Sequence, residues 1–565
     1  MKKLIISLGV LAMVYSYGQK VSWQKNLNSN TQDFLSGLAI TIDGQYLVSG
    51  SSISNNHNPA QNNQNRGYDY YILKLDQQGQ KVWDKNFSGN RHDNLNSTIS
   101  TREGGFLLAG SSYSTLGFDK KEKSFGGSDI WLIKIDENGK EEWQKTIGTK
   151  YNEEARSVAQ TSDEGYIVAG STNHPKLGYG SKDVFITKLD KTGKIINQLI
   201  LGGKNVDEVE KVIATKNGGA LLGIYSRSSI YDGLSKAKIN STDLESQSLQ
   251  SNHSETSTNN LSAIPKSNRQ GEESYPINFY SKSLASYGEG DYWLVKLDKN
   301  GNVEWERSYG GSEDDRIKEI SLTSSGYIIG GESRSQQSGN KKTKQEEGTD
   351  LWILALDEDG TEDWQKSYSF KNQDILMSIN TIKEIGDNSK DVTKGFLIGG
   401  YTQSEGKVEK NDETFWMLYI DINGKEVWRK YVEGKDKNKE ERLTSAILNR
   451  DGSYILAGTS AEEQGKESWK VVKLEDKQIE DLMENKDIQI YPNPVKDYCY
   501  VEIGLDFDQA DIYVYDMAGK VVQQLQTKNR VTKINTSRLP QGIYIVKANI
   551  PAQKDKKLTT KIVKE

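Results

Sequence analysis

The chain has 565 residues, a formal charge of -6 and four histidines. An acidic balance is unfavourable for binding nucleic acid or anionic lipid, so we expect neither as a partner. Hydrophobic residues make up 34% of the chain, which is low for a globular protein, whereas 52 glycines and 29 tyrosines are typical of short strands with many turns. Cys499 is the only cysteine, which excludes an intrachain disulfide.

The first eighteen residues have the pattern of a secretory signal. Lys2 and Lys3 precede an apolar run that extends to Tyr17, and small residues surround the expected cleavage point after Gly18. This run is shorter than the ~20 residues that span a bilayer, and no other stretch approaches that length. We expect residues 1–18 to be a signal peptide and the mature chain to have no transmembrane segment; a buried first strand is the alternative.

A strand-turn-strand phrase is repeated through most of the chain. It recurs seven times, with copies that start at Asp69, Asp129, Asp183, Asp291, Asp350, Thr414 and Glu467. An apolar phrase bounded by glycines, such as Gly165-Tyr-Ile-Val-Ala-Gly170, precedes each copy. The last copy has no terminal tryptophan, and the missing piece stands near the other end of the chain as Val21-Ser-Trp23.

The repeat predicts four short strands per unit rather than helices. Both faces of the strand that starts at Asp129 are apolar, which is typical of a sheet packed between two neighbours. The turn Asp136-Glu-Asn-Gly139 has the composition of a tight hairpin. We therefore predict an all-β protein with a seven-bladed β-propeller over residues 19–475, closed by pairing of its first and last strands. Which strand of a blade is innermost stays open.

One tryptophan per unit ends the repeated phrase (Trp23, Trp83, Trp143, Trp305, Trp364 and Trp428). A side chain of this size at one fixed place per blade favours packing between blades over the alternative, a stacking surface for sugars or bases. Asn197 replaces the tryptophan in one unit, so we expect a looser junction there.

Two polar insertions interrupt the repeat. The longer one occupies about residues 226–288, and we predict that Ser235 to Ser274 within it is a mobile loop, with a degenerate eighth blade as the alternative. The shorter one, Ser333 to Gly348, occupies the equivalent place in a later unit. A charged linker at 476–486 then leads to residues 487–565, where seven short strands predict a small immunoglobulin-like β-sandwich.

The C-terminal segment resembles a known family. Ile490-Tyr-Pro-Asn-Pro-Val-Lys-Asp497, Ile512 to Val521, Leu539 to Val546 and Lys561 to Glu565 are similar, in order, to the type A C-terminal sorting domain of type IX secretion substrates in Bacteroidota. The propeller units also resemble those of secreted proteins of these bacteria. The motif residues are Tyr491, Pro492, Asn493, Pro494, Asp497, Asp516, Gly519, Leu539, Gly542, Tyr544 and Lys561.

This resemblance implies a location and partners. The domain would be read by the outer-membrane translocon and removed by a surface sortase-like peptidase, so the protein would reach the cell surface or the medium through the periplasm and outer membrane. A permanent adhesive sandwich is the alternative.

No catalytic constellation stands out in the sequence. The histidines have no metal-ligand spacing, and nucleophile-elbow, phosphate-loop and HExxH motifs are absent. The turns weakly resemble the blades of pyrroloquinoline quinone dehydrogenases, but no calcium-cofactor site can be placed, so we expect no cofactor. A carboxylate pair for glycoside hydrolysis stays open, because the sequence selects no particular pair.

One acidic position recurs before the second strand of each unit (Asp33, Asp93, Glu154, Asp207, Asp315, Asp374 and Glu441). By propeller symmetry these residues would form a ring on one face. Each could cap its own loop through backbone N–H groups, or together they could attract a cation.

The sequence as a whole favours an exported, non-catalytic binding or adhesion protein with a glycan or protein ligand; an exported enzyme and a passive surface-layer component are the alternatives.

Overall fold

The computed structural model describes residues 20–27, 33–53, 67–173, 182–230, 277–370, 372–385, 391–403, 414–432, 440–461, 467–483, 487–505, 507–551 and 558–565. Within these ranges the chain consists of β-strands and one short helix, α1 (Lys477–Glu480), which confirms the all-β class. The predicted signal peptide, the stretch Ser235 to Ser274 and residues 484–486 of the linker lie outside the described residues. No helix among the described residues has the length and apolar character needed to cross a membrane.

Twenty-nine strands precede Asp476 in the described ranges. They are β1 (Lys20–Leu27), β2 (Asp33–Ile40), β3 (Tyr46–Ile53), β4 (Tyr68–Leu75), β5 (Lys81–Phe87), β6 (Asp93–Ser100), β7 (Phe106–Ser112), β8 (Asp129–Ile135), β9 (Glu141–Ile147), β10 (Glu153–Gln160), β11 (Tyr166–Thr172), β12 (Asp183–Leu189), β13 (Ile195–Gly202), β14 (Asp207–Ala214), β15 (Ala220–Ser226), β16 (Ile277–Ser281), β17 (Asp291–Leu297), β18 (Val303–Tyr309), β19 (Asp315–Leu322), β20 (Gly326–Ser333), β21 (Asp350–Asp357), β22 (Glu362–Tyr368), β23 (Gln373–Ile385), β24 (Asp391–Gln403), β25 (Thr414–Asp421), β26 (Glu426–Val432), β27 (Glu440–Leu448), β28 (Tyr454–Ala461) and β29 (Glu467–Glu475).

These strands form seven sheets, and each sheet contains one unit of the sequence repeat. The orders are β2-β3-β4-β5, β6-β7-β8-β9, β10-β11-β12-β13-β16, β14-β15-β17-β18, β19-β20-β21-β22, β23-β24-β25-β26 and β1-β29-β28-β27. The last sheet joins the two ends of the repeat region, because β1 pairs antiparallel with β29.

The first strand of each unit contacts the first strand of the next, from β2 through β6, β10, β14, β19 and β23 to β27, and β27 contacts β2 again. Each of these seven strands carries a β-bulge near its start, as in β14, where Glu210 is inserted between Val209 and Lys211, three residues after Asp207. A bulge changes the direction of the side chain it inserts. The seven inserted side chains therefore lie at equivalent places along the contacting strands.

The recurrent tryptophans pack between units, as predicted. The Trp23 indole donates to the Gln77 carbonyl at 3.2 Å, and the Trp364 indole donates to the Ile422 carbonyl at 2.9 Å. Five of the six rings lie on the glycine of the neighbouring hairpin turn: a Cβ placed on Gly360 would come within 2.7 Å of the Trp305 ring. The glycines are needed for this approach as well as for their positive φ.

Asn197 retains part of the tryptophan's role at the exceptional junction. Its amide donates to the carbonyls of Asn300 and Gly301, both at 3.2 Å, which is the turn that an indole would contact. The returning end of the long insertion supplies β16, which pairs parallel with β13, and Asn278 donates to the Asn197 side chain at 2.9 Å. The prediction of a looser junction is therefore corrected in part, because an added strand covers the place where the ring is missing.

Residues after α1 form two further sheets. The strands are β30 (Ile488–Tyr491), β31 (Tyr498–Ile503), β32 (Ala510–Tyr515), β33 (Val521–Thr527), β34 (Val531–Asn535), β35 (Gly542–Asn549) and β36 (Leu558–Lys564). One sheet has the order β30-β31-β34 and the other β33-β32-β35-β36. Their inner faces share one apolar core, which includes Cys499, Val501, Val514 and Val546.

The start of the linker is anchored to the repeat region rather than free. Asp476 caps α1 by accepting from the Gln478 backbone N–H, and it forms an ion pair with Lys430 at 2.6 Å. Ile479 is buried in the apolar core that the last two units share. The direction in which the chain leaves the repeat region is therefore set by packing.

We expect Gly360→Ala to destabilise the protein more than Gly301→Ala. Both glycines have a similar positive φ, 77° and 84°, so both variants bear the cost of about 1–2 kcal/mol for a left-handed residue. Only at Gly360 does the new methyl group meet a tryptophan ring, which adds overpacking of about 1–3 kcal/mol; at Gly301 the nearest atom is the Asn197 amide at 3.3 Å. Urea unfolding of both variants measures the difference, and equal losses would contradict the packing role of the ring.

Candidate functional site

The predicted acidic positions lie at the start of the contacting first strands. Asp33, Asp93, Asp207, Asp315 and Asp374 are all buried. In the third unit the register places Glu153, not Glu154, at the equivalent position: Glu153 is buried, whereas Glu154 is exposed. That prediction was wrong by one residue, because two glutamates are adjacent here and only the pairing with β11 shows which of them takes the buried position. Glu441 is the second residue of β27.

Each buried carboxylate with described contacts caps its own loop. Asp207 accepts from the Gly203 N–H at 2.8 Å and from the hydroxyls of Ser226 and Ser228 at 2.5 and 2.7 Å. Three others combine a backbone N–H four residues earlier with a hydroxyl on the next strand or just after it: Glu153 with Thr149 and Thr172, Asp315 with Gly311 and Ser335, and Asp374 with Phe370 and Thr402. In the described part of the chain no three His, Cys, Asp or Glu residues are grouped for a metal ion. This geometry favours local capping.

A buried lysine accompanies the acidic position in three units, a feature that the sequence reasoning missed. Lys341 donates to the Ser333 hydroxyl at 2.7 Å, and its ammonium lies 5.7 Å from the centre of the Trp352 ring. Burial lowers the pKa of Lys341, while Asp315 and Asp350 oppose that shift. Lys120 and Lys282 occupy the same place in their units. The available signal was a lysine nine residues before the aspartate that opens the third strand.

Two variants should distinguish a buried carboxylate whose charge destabilises the folded protein from one whose charge is partly compensated by a buried lysine. Burial raises the pKa of Asp374 to about 7, Asp350 adds to the rise and Arg429 opposes it. The folded protein therefore holds a proton that the unfolded chain releases above pH ~4, and the stability contributed by this proton is lost as pH rises through about 7. In Asp374→Asn the amide oxygen can accept from the Phe370 N–H, and the amide nitrogen can donate to the Thr402 hydroxyl. This variant should stabilise the protein at pH 8 by about 1 kcal/mol or more, with a smaller gain at pH 5.

Asp315→Asn is the matched control, since it preserves the same cap but removes a carboxylate beside buried Lys341. Burial raises the pKa of Asp315 as well, but Lys341 opposes that rise, so we expect a smaller gain in stability at pH 8 than for Asp374→Asn. Urea unfolding at pH 5 and pH 8 tests both variants. Loss of stability in Asp374→Asn at pH 8 would contradict the shifted titration.

The side chains inserted by the bulges form a second feature on the same side of the units. Arg156, Glu210 and Lys318 are the bulge residues of three successive units. Glu210 accepts from Arg156 at 2.8 Å and from Arg316 at 2.8 Å, and its side chain is only 3% exposed. Lys318 approaches the same carboxylate at 3.9 Å. The bulges thus bring side chains from three units to one carboxylate.

These residues surround a cavity of about 280 Å³, here named the charged mouth and defined by Arg156, Lys182, Glu208, Glu210 and Arg316. Lys182 donates to Glu208 at 2.9 Å, and Arg316 donates to it at 3.1 Å. Arg316 also lies over the Tyr225 ring, 4.8 Å from its centre. The mouth is therefore lined by donors and acceptors whose positions are fixed by their neighbours.

The pKa values of the carboxyl groups at and near the charged mouth depend on the neighbouring charges. Burial alone would raise the pKa of Glu210, but Lys318, Arg156 and Arg316 together hold it below its ordinary value. Burial raises the pKa of the nearby Glu332, which lies 4.0 Å from Lys318. Glu332 therefore holds its proton to higher pH than Glu210 does, although Lys318 lies close to both.

The predicted motif residues of the C-terminal segment gather at one end of its two sheets. The Asn493 amide donates to the Lys561 carbonyl at 3.0 Å, and its oxygen accepts from the Val563 N–H at 2.9 Å. Tyr491 ends β30, Gly542 opens β35, and Pro492 and Pro494 follow cis peptide bonds. Asp516 and Gly519 close a tight turn. The other contacts are local hydrogen bonds: the Asp497 carbonyl accepts from the Thr536 N–H, the Leu539 N–H donates to the Thr536 carbonyl, and the Tyr544 hydroxyl donates to the Pro540 carbonyl. Register places Gly542 opposite Lys564.

Solved structures with some similarity cover most of the chain at low identity. Sqt1 from Chaetomium thermophilum is 8% identical, with 81% of this chain and 99% of that chain covered and a TM-score of 0.40. A protein of unknown function from Dyadobacter fermentans is 10% identical, covers 81% and 100%, and has a TM-score of 0.38. PorZ, a surface component of the type IX secretion system of Porphyromonas gingivalis, is 9% identical, covers 96% and 100%, and has a TM-score of 0.16. None of the curated proteins compared with the chain matches it.

A family model matches the C-terminal segment directly. Residues 489–565 match the secretion system C-terminal sorting domain, which confirms the resemblance seen in the sequence motifs. The chain therefore carries a type IX secretion C-terminal sorting domain, which marks it for export to the cell surface or the medium.

Proposed function

We propose that the seven sheets are the blades of one closed β-propeller and that the sorting domain is an immunoglobulin-like sandwich. The cyclic contacts of the first strands, from β2 to β27 and back, support a ring in which the first strand of each unit is innermost. The β1 to β29 pairing supports closure, because it places the two ends of the repeat region in one sheet. The shared core of the two C-terminal sheets supports the sandwich.

We further propose that the protein is an exported, non-catalytic binding protein, surface-attached or secreted, that takes a glycan at the charged mouth. The observation that carries this proposal is the cavity in which Glu210 holds Arg156 and Arg316 in fixed positions. Sites for small ligands combine few, well-placed polar groups with a preformed shape. The cavity is slightly smaller than the about 300 Å³ of pockets for drug-sized ligands, so it suits one polar unit such as a sugar ring.

A second cavity, of about 380 Å³, lies between the fourth and fifth units at the opposite end of the strands. Its buried Lys296 is already bound to Glu304 at 2.6 Å and to Asn217 at 3.2 Å. The charged mouth is the better candidate because Arg156 is well exposed, whereas Lys296 is not.

Hydrolysis of a polysaccharide is the second candidate function. Glu210 and Glu332 have pKa values displaced in opposite directions, and such a pair can divide the roles of base and acid. The involvement of Glu210 with three cations favours binding over catalysis, because a carboxylate that is so strongly held is a weak base.

Binding to a glycan array by the purified full chain tests the proposed function. Arg156→Ala should weaken binding by about tenfold, because it removes an exposed donor and one partner of Glu210. The control is Lys211→Ala, which removes an ion pair with Glu319 outside the mouth and should leave binding unchanged. New reducing ends from a bound glycan, lost in Glu332→Gln, would replace binding with hydrolysis. Equal binding by parent and Arg156→Ala would contradict the assigned site.

Closure of the ring predicts the effect of removing β1. A chain that lacks Lys20–Leu27 loses the partner of β29 and the Trp23 packing, so we expect a lower melting temperature and a broader transition. Differential scanning calorimetry gives both quantities. A truncated protein that melts like the parent would show that β1 is not needed to close the ring.

A further inference from the structure

The three-stranded sheet of the sorting domain faces the repeat region. Lys533 of β34 forms an ion pair with Glu137 at 2.7 Å, and the Tyr498 hydroxyl of β31 donates to the Glu103 carbonyl. Glu137 and Glu103 belong to hairpin turns of the second unit. The contact is therefore made to the end of the units opposite to the charged mouth.

The other strands of this sheet take part in the same contact. The Tyr491 hydroxyl at the end of β30 donates to the Ile42 carbonyl at 3.3 Å, and the Arg450 guanidinium lies 4.4 Å from the centre of the Tyr491 ring. Arg450 also approaches Glu502 of β31 at 3.7 Å. The sheet that contains Tyr491 is thus covered by the repeat region.

The four-stranded sheet presents a different surface. Ile512 and Val514 point into the core, so Tyr513 and Tyr515 lie on the outer face of the sheet. Register aligns Tyr515 with Val521 on one side and with Ile545 on the other. We name this surface the free face and define it by Tyr513, Tyr515, Val521, Ile543 and Ile545, with Lys547 and Lys561 beside it.

Apolar side chains on the free face are accessible to solvent. Val521 is 43% exposed and Ile543 is 46% exposed. A contiguous exposed apolar surface of this kind commonly marks a site of association. The two lysines at its border favour a partner whose apolar contact surface is flanked by carboxylates.

We propose that the free face is the surface through which the export machinery recognises the sorting domain, and that the partner is a protein surface with apolar side chains flanked by carboxylates. This proposal rests on the export role of residues 489–565. The covered sheet holds the domain against the repeat region, and the opposite sheet remains available for recognition before any separation of the two parts. Lys561, one of the predicted sorting residues, borders the free face opposite Ile545.

The test is export of the full chain in a bacterium with a type IX secretion system, measured as surface plus medium protein against periplasmic protein. The double variant Val521→Glu, Ile543→Glu should reduce the exported fraction by about tenfold or more, because charges replace the apolar contact. Lys533→Ala, which weakens only the covered contact, should be exported like the parent. A second double variant, Val521→Ser with Ile543→Ser, keeps the test valid if the glutamates prevent folding, and unchanged melting of the purified proteins shows that they fold.

Export of the folded double variants at the parental level would overturn the proposal. Loss of export in both the double variants and Lys533→Ala would also overturn it, because the export machinery would then recognise the covered sheet as well. Binding of the parent to phosphatidylglycerol vesicles that is lost in the double variant would identify lipid in place of a protein. Export of a chain that lacks residues 487–565 would instead overturn the export role itself, which separates the two failures.

Discussion

The constraint on which the structure depends is that every sheet of the repeat region has two apolar faces. Neither face can be left to water, so each sheet is stable only between two neighbours. Side chains of one unit complete the apolar core of the next: one core cluster contains Ala109 and Ile130 of the second unit together with Tyr166 and Phe185 of the third. Burial on both sides, rather than any single contact, makes the units depend on one another.

This dependence explains what could be predicted from the sequence and what could not. The seven units, their hairpins and the tryptophan contacts repeat within the chain, so local patterns were sufficient to find them. The position of Glu153 was missed because Glu154 stands next to it, and the choice between them depends on the register with the neighbouring strand. The role of β16 was missed because the Asn197 position is completed by a strand from a distant insertion.

The candidate site could be predicted only in part for a related reason. The acidic positions recur, and recurrence makes them visible, but they prove to be internal caps with their own hydroxyl and N–H partners. The charged mouth arises where non-recurrent residues of several units meet, as Arg156 and Glu210 do. No spacing within one unit could indicate that meeting, since it is created by packing between units.

Because the unit is repeated seven times, equivalent positions in different units can be compared with one another. Positions that stay nearly the same from unit to unit, such as the turn glycines and the capping acids, are explained by φ, packing or hydrogen bonds. The bulge position instead changes freely, through Ser36, Asn96, Arg156, Glu210, Lys318, Met377 and Thr444. Since the bulge itself is retained in all seven strands, the backbone does not require any one of these side chains. Their variety places opposite charges around one cavity, and the proposed binding function rests on that arrangement.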